Sequence, residues 1–402
     1  METKVYRGSI GEAPEILKKG GLVAVPTETV YGLAANGLDA SAVEKVYEVK
    51  GRPAVKPLSL MIPSPEAMDD YAHTVPHAAH VLAERFWPGP LTIVLPAREN
   101  IPPIVLSGGK TVGLRCPDND LTLAALKASG VPFAAPSANL SGGPSPKTAQ
   151  EVLNVFDGRI DAVIDGGPCT LGRESTILEM TSSPYRILRQ GALPEKEIAD
   201  ALVEQMTIIG ITGKSGSGKS SALLALEPFG ALQIDCDEVY HTLVKDSGAL
   251  LQELYDRFPL AFSSGAFDRK ALGKIVFADA AALKDLNAIA HRHVLEEVRR
   301  RLRRFAMQGG EIAAIDAVEL FSSGADELCS FTIAVLASKD KCLARIMERD
   351  GISAEYAESR ILAQKSDDYY RKNCTYTVYN DGTEEQLKDK IFQLIKENQH
   401  HG

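Results

Sequence analysis

The stretch TIIGITGKSGSGKSSALLAL, which begins at Thr207 of a 402-residue chain, admits few folds. A β-branched apolar run leads into Gly213-Lys-Ser-Gly-Ser-Gly218-Lys219-Ser220, and a helix-forming segment follows. In that setting glycines let successive backbone N–H groups turn toward one anion, and the positive end of the next helix adds to them. The pattern predicts a phosphate cradle made by Gly213, Gly216, Ser217, Gly218, Lys219, Ser220 and Ser221. Lys219 would reach the β- and γ-phosphates, and the Ser220 hydroxyl would ligate Mg²⁺. A flexible Gly/Ser linker needs neither the strand before nor the helix after. No N-K-x-D guanine reader occurs in the chain, so ATP is the expected nucleotide. Such a loop normally follows the first strand of its domain, so the roughly 200 residues before it call for a domain of their own.

Two domains are expected: residues 1–200, a short linker at 201–206, and residues 207–402. Apolar residues at 45% and charged residues at 24% allow each half a core. The net charge of −9 argues against a chain that grips nucleic acid by bulk charge. Six cysteines, at 116, 169, 236, 329, 342 and 374, form no C-x-x-C pair, which fits a reducing compartment and no structural zinc. The N-terminus lacks a signal-like apolar core and no run is long enough to span a bilayer, so a cytoplasmic protein without membrane contact is expected. In the first half, Gly21–Val25, Leu91–Leu95, Val131–Ala135, Ala162–Asp165 and Arg186–Arg189 read as strands. Helices are expected at Leu121–Ser129 and near Lys147–Val155, with Pro and Gly at the joints. In the second half, strands at Ile208–Thr212, Gln233–Ile234, Ile312–Ile315 and Phe331–Leu336 alternate with helices across Ala271–Asp279, Leu283–Phe305 and Lys339–Arg349. That alternation predicts an α/β domain with a parallel sheet and right-handed crossovers.

After the loop, Asp235-Cys-Asp237 follows a short strand. Carboxylates at that strand end face the crevice of an open α/β sheet, where they can hold Mg²⁺ and accept a proton from an attacking hydroxyl. A helix N-cap ahead of EVYHTL is the alternative. The loop, IDCDEVYHTLV, FDRKALGKIVF, LNAIAHRHV, the Asp316 strand with DELC, RIMERDG and YNDG together resemble the dephospho-coenzyme A kinase family over about 207–400. The resemblance implies a three-layer α/β/α P-loop kinase fold with helical substrate and lid segments, and ATP-dependent phosphorylation of the 3′-hydroxyl of dephospho-CoA. It implies Asp237 as general base with Asp235 on the metal, or the two roles exchanged, and Arg345 and Arg349 as lid arginines over the phosphates. The sequence departs from the pattern at Lys214, where glycine is usual; at His291-Arg292, where His-Pro is usual; and at Ala317–Ser322, whose terminal acid is missing while Glu319 stands nearby. A different small-molecule acceptor is the competing reading. The basic run Arg299–Arg304 is expected to be a solvated helix face with Leu302 turned inward.

In the first half, Pro26-Thr-Glu-Thr-Val-Tyr-Gly-Leu33 precedes Lys50-Gly-Arg52-Pro-Ala-Val-Lys56-Pro. Pro53 and Pro57 stiffen the second loop and exclude helix, so Lys50, Arg52 and Lys56 are expected to converge on phosphate. Thr111–Arg115, Ser137-Ala-Asn139, Ser145, Arg173-Glu-Ser175 and Arg189 add hydroxyls, an amide and further cations. The histidines at 73, 77 and 80 read as one polar helix rather than a metal site. Together these motifs resemble the threonylcarbamoyl-AMP synthase family over about residues 8–200, through the K-x-R and the later S-x-N. The resemblance implies a YrdC-like twisted open α/β sheet with a central groove. It also implies synthesis of threonylcarbamoyl-AMP and pyrophosphate from L-threonine, bicarbonate or CO₂, and ATP, to supply the modified adenosine at position 37 of tRNA. Transient contact with tRNA, or with the complex that transfers the group, follows from the same resemblance. It implies Lys50, Arg52, Lys56, Thr111, Asn139, Ser145 and Arg189 on the nucleotide, with Lys50 and Arg52 serving catalysis, and Thr29, Arg115, Ser137 and Ser175 on threonine. Met61 stands where some relatives carry histidine. The rival reading keeps the kinase and makes the first half a non-catalytic module that binds tRNA or double-stranded RNA.

Overall fold

The computed structural model describes residues 2–53, 55–263 and 266–399; Met1 and residues 400–402, the outer ends of the two expected domains, lie outside the described residues. The chain divides into two compact units, with Glu204 ending the first and Gln205 opening the second; Met307–Gly309 group with the first. Helix covers Glu195–Val203, so residues 201–203 of the expected linker are helical.

In the first unit, ten strands make one mixed sheet: β1 (Lys4–Arg7), β2 (Val23–Val25), β3 (Gly32–Asn36), β4 (Ser59–Met61), β5 (Leu91–Pro96), β6 (Thr111–Arg115), β7 (Phe133–Ala134), β8 (Ala162–Asp165), β9 (Thr176–Glu179) and β10 (Arg186–Arg189). Their order is β1-β8-β2-β3-β7-β4-β6-β5-β9-β10. The pairs β1·β8, β2·β8, β4·β6 and β5·β9 are parallel, whereas β2·β3, β3·β7, β4·β7, β5·β6 and β9·β10 are antiparallel. Six helices accompany them: α1 (Ala13–Lys18), α2 (Ala40–Lys50), α3 (His77–Phe86), α4 (Asp120–Ser129), α5 (Ala149–Phe156) and α6 (Glu195–Val203). Asp39 caps α2 by accepting from Ser41 N and Ala42 N, and Gly51 ends it at φ +58. Only a residue without Cβ takes that left-handed turn at little cost. The turn leaves Lys50 as the last helical residue and sends the chain into the proline-stiffened loop. Because α3 starts at His77, His73 lies ahead of it and the three histidines do not share one helix.

The second unit has a five-stranded sheet, wholly parallel as the alternation predicts: β11 (Thr207–Thr212), β12 (Leu232–Asp235), β15 (Ile312–Asp316), β16 (Phe331–Leu336) and β17 (Tyr376–Tyr379), with a separate hairpin of β13 (Phe262–Ser263) and β14 (Ala266–Phe267). The sheet order is β12-β15-β11-β16-β17. Its helices are α7 (Lys219–Leu224), α8 (Cys236–Asp246), α9 (Gly248–Arg257), α10 (Arg269–Ala278), α11 (Ala280–Met307), α12 (Lys339–Asp350), α13 (Ala354–Leu362), α14 (Asp367–Asn373) and α15 (Glu384–Gln399). Ile209, Ile211, Ile333 and Val335 from the sheet pack with Leu387, Ile391 and Ile395 from α15. Central β11 is followed on one side by β12 and β15 and on the other by β16 and β17, so the strand order reverses at its carboxyl end. A crevice forms at such a switch point, and the phosphate loop emerges into it. Leu302 of α11 is fully buried, as the basic-run reading requires.

Candidate active sites

The concave region of the first unit holds a cavity of about 210 Å³. Thr29, Arg52, Arg115, Ser137, Ser175 and Arg189 line it together, although they span more than half of that unit's sequence. Arg115 sits at the end of β6, only 7% exposed, and its position is strongly constrained. It donates from Nη2 to Thr29 Oγ1 at 2.8 Å and from Nε to the Gly89 carbonyl at 3.2 Å. Glu28 Oε1 lies 2.8 Å from the same guanidinium but off its N–H directions, so it gains charge compensation without an aligned hydrogen bond. Glu28 Oε2 accepts from Asp118 N at 3.1 Å. At the other side, Arg189 donates to the Ser175 carbonyl at 2.9 Å and to Ser175 Oγ at 3.2 Å, and it pairs with Glu174 at 2.9 Å. Ser175 Oγ is also 2.9 Å from Thr92 Oγ1. Glu174 and Thr92 line the cavity and Glu28 restrains Arg115, places that the sequence reading did not single out; the two acids adjoin residues that it did.

The remaining expected residues take other places. Lys50 is 2% exposed, and its ammonium donates to the carbonyls of Ser137 and Asn139, with Asn139 Oδ1 3.5 Å away. Burial, aided by Arg52, pushes its pKa down to about 8. Lys50 therefore supports the Ser137–Asn139 turn from beneath instead of projecting into the cavity. Asn139 completes that turn, accepting from Ser137 Oγ at 2.5 Å and donating to the Gly143 carbonyl at 2.6 Å. Ser145 donates to Glu174 Oε1 at 2.9 Å. Arg52 reaches the cavity by folding over its own loop, donating to the Pro57 carbonyl at 3.1 Å. Lys56 is exposed, and Thr111 occupies the opposite end of β6 from Arg115; neither lines the cavity. The three cations of the proline loop thus do not converge, because Lys50 lies on the buried face of α2 while the loop beyond Gly51 carries Lys56 out to solvent. Met61, 5% exposed, lines the cavity wall.

In the second unit, Gly213, Gly216 and Gly218 adopt φ of +143°, +77° and +100°. A Cβ on Gly213 would stand 2.2 Å from the Val335 carbonyl, and one on Gly218 would stand 2.0 Å from Asn380 Nδ2. The loop is braced from outside: Asn380 Nδ2 donates to the Ser217 carbonyl at 2.8 Å, and Arg345 donates to the carbonyls of Gly216 and Ser217 at 3.2 and 3.3 Å. Lys219 donates to the Gly213 carbonyl at 3.3 Å, and Ser220 and Ser221 open α7. Arg349, one turn beyond Arg345, is turned to solvent and pairs with Asp350 at 2.7 Å. Asp235 caps α8, Oδ1 accepting from Asp237 N and Glu238 N. Its N-cap and strand-end readings are therefore compatible, since Oδ2 is left over. Asp316, which pairs in register with Asp235, is 8% exposed with Oδ1 unpartnered. Burial lifts its carboxyl to about 7; Lys219 opposes the rise, while Asp235 and Asp237 add to it. Mutual repulsion of these carboxylates and a free buried oxygen fit a divalent cation nearby. No group of three His, Cys, Asp or Glu among the described residues makes a metal site alone, so a cation there would rely on phosphate and water oxygens.

A second cavity of about 250 Å³ adjoins this region, lined by Asp237, Tyr240, His291, Val294, Glu319 and others. Asp237, in the first turn of α8, and Glu319 are its exposed carboxylates. The departures in sequence sort themselves here. His291 faces the cavity, its pKa lowered by burial with Glu319 opposing. Arg292 points away and pairs with Glu253. Ser322 donates its hydroxyl to Glu319, which lines the cavity.

A parallel sheet with a glycine-rich loop at its switch point, and a mixed sheet carrying a cation-lined cavity, define two different α/β units in one chain. A family model described as "Telomere recombination" matches residues 15–191, and one described as "Dephospho-CoA kinase" matches residues 207–386. The threonylcarbamoyl-AMP synthase of Pyrococcus abyssi is 46% identical over 215 residues, 54% of this chain and 63% of that protein. A Methanocaldococcus jannaschii protein of the same synthase family is 36% identical, over 46% of this chain and 88% of its own length. The dephospho-CoA kinase of Geobacter sulfurreducens is 33% identical, over 48% of this chain and 97% of its own length. The chain belongs to the threonylcarbamoyl-AMP synthase family in its first half and to the dephospho-CoA kinase family in its second. It spans less than two thirds of the Pyrococcus protein's length.

Proposed function

We propose that the chain is a bifunctional enzyme. Its first unit makes threonylcarbamoyl-AMP and pyrophosphate from L-threonine, bicarbonate or CO₂, and ATP, supplying tRNA modification. Its second transfers the γ-phosphate of ATP to the 3′-hydroxyl of dephospho-CoA. The observation that supports this most is that each unit has its own set of groups suited to phosphate: Arg52, Arg115 and Arg189 around one cavity, and the braced glycine loop beside a carboxylate-bearing cavity in the other.

In the first unit the carbamate carboxylate attacks the α-phosphorus and pyrophosphate leaves. That step needs alignment and charge neutralisation more than a strong base. Arg115, Thr29, Ser137 and Ser175 hold the threonine part, Arg52 and Arg189 meet the nucleotide's anionic oxygens, and Lys50 with Asn139 keeps the Ser137 turn in shape. In the second unit backbone N–H groups of the loop and Lys219 carry the β- and γ-phosphates, and Arg345 closes beside them. Asp237 accepts the proton of the acceptor hydroxyl. Ser220 and Asp235, with Asp316 behind them, would hold Mg²⁺, which neutralises the phosphate oxygens.

The test is a pair of assays on the purified full chain: pyrophosphate release dependent on threonine plus bicarbonate, and ADP release dependent on dephospho-CoA. Both activities are expected. ADP release alone would leave the first unit as a binding module, and acceptor-independent behaviour of the second would refute the kinase assignment.

A further inference from the structure

Lys214 stands where the family resemblance calls for glycine, and the proposed chemistry makes no use of it. Its ammonium lies 2.7 Å from Asp367 Oδ1, at the start of α14; the two side chains are 20% and 40% exposed. The next residue is held by the same segment: Ser215 N donates to Gln364 Oε1 at 2.9 Å, and Gln364 Nε2 donates to Ser215 Oγ at 2.8 Å. Gln364 lies in the stretch joining α13 to α14 and Asp367 opens α14, about 150 residues further along the chain. A run rich in glycine loses much conformational freedom when it is ordered, so restraining it before phosphate arrives removes part of the cost of binding.

We propose that Lys214, Gln364 and Asp367 form a clasp that positions the phosphate loop, with Lys214 acting as its pin and not as a phosphate ligand. The Ser215 N–H is committed to Gln364, so the amides that turn to phosphate are those from Gly216 onward. The clasp also fastens the α13–α14 segment to the loop, so nucleotide affinity responds to residues that touch no nucleotide. This inference rests on the loop being the ATP site.

Charge reversal distinguishes a clasp from a direct contact. ADP with Mg²⁺ is titrated calorimetrically into the full-length chain, its K214D, D367K and K214D/D367K variants, and Q364A; thermal unfolding checks that each is folded. An exchange of partly exposed charges predicts ADP weakened about three- to fivefold by each single reversal and restored by the double one. The D367K result is the most telling. Through-space electrostatics alone would tighten ADP when positive charge is added, whereas loss of the clasp weakens it. Q364A should weaken ADP as well, and K214R should not. In the kinase assay the reversals should raise the KM for ATP and leave kcat at saturating ATP unchanged. A double variant as weak as K214D, or D367K binding as tightly as wild type or tighter, would overturn the clasp. Wild-type chain that does not bind ADP would overturn the nucleotide-site assignment, and the clasp with it.

Discussion

Gly218→Ala tests whether the phosphate loop works through backbone shape. Gly218 sits at φ +100°, and a Cβ there would stand 2.0 Å from Asn380 Nδ2. Asn380 is 5% exposed and donates to the Ser217 carbonyl at 2.8 Å, so it has little room to retreat without leaving its own buried amide N–H unpaired. Holding a residue with Cβ at such a φ costs about 1–3 kcal/mol. Losing the partner of that buried donor costs about 1–3 kcal/mol more. The loop can escape both by relaxing locally, so the penalty falls on the ordered, phosphate-ready form and appears as lost nucleotide affinity. Even the lower sum, about 2 kcal/mol, weakens ADP about 30-fold. Calorimetric titration of ADP with Mg²⁺ into the G218A chain measures this directly. The threonine- and bicarbonate-dependent release of pyrophosphate, which uses the other unit, should be unchanged. A G218A chain that binds ADP as tightly as wild type would show that the loop tolerates a Cβ and that the steric account is wrong.

Lys219→Ala should abolish dephospho-CoA-dependent ADP release and spare pyrophosphate release; loss of both would mean that the units do not act independently. Glu28→Ala removes the carboxylate 2.8 Å from Arg115, where both side chains are under 10% exposed, and breaking such a buried pair costs about 3–5 kcal/mol. The first unit's unfolding midpoint should fall, with threonine-dependent turnover lost at temperatures where wild type remains active. Asp316→Asn should flatten the pH dependence of stability in the nucleotide-free chain. Because the folded carboxyl titrates near 7 instead of 3.8, the folded state holds a proton that the unfolded state has released across that window. Wild-type stability therefore declines as pH rises from about 4 to about 7, by at most about 4 kcal/mol. Denaturant midpoints from pH 5 to 8 should fall less in D316N, and parallel profiles would refute the assignment.

The parts of this architecture legible in the sequence are those where backbone chemistry dictates residue type. Gly213, Gly216 and Gly218 announce themselves because their φ values exclude side chains, and the apolar run before them had to be the central strand. The mixed directions of the first sheet were not legible, since β4, β7 and β9 are only two to four residues long and pairing decides their direction. Side-chain aim was equally hidden. Lys50 and Arg52 lie two apart, yet the buried face of α2 sets one beneath the 137–139 turn, and the left-handed Gly51 sends the chain on so that the other lies on the cavity. Arg345 and Arg349 share a helix, but Asn380 and the loop draw in the first while Asp350 holds the second. Asp316, Gln364 and Asp367 read as an ordinary strand end and helix flank until the fold brings them to the loop.

Under the proposed functions the two sites meet a common electrostatic demand in opposite ways, and that difference predicts where each is vulnerable. In the second unit the dipoles proposed to face phosphate belong to the backbone, and side chains such as Arg345, Asn380 and Gln364 hold that backbone by hydrogen bonds. An added Cβ is then the damaging change, and an altered side chain acts through the loop's shape. In the first unit the charges reside on guanidinium groups, each restrained by an acid or a carbonyl: Arg115 by Glu28 and Gly89, Arg189 by Glu174 and Ser175, Arg52 by Pro57. Since Glu28 and Glu174 already compensate two of the three, Arg52 is, among the described residues, the cavity guanidinium with no carboxylate partner, and it supplies the unbalanced charge. It follows that anionic oxygens are drawn first toward Arg52. Arg115 and Arg189, whose positions are fixed before any ligand enters, select by geometry rather than by net charge.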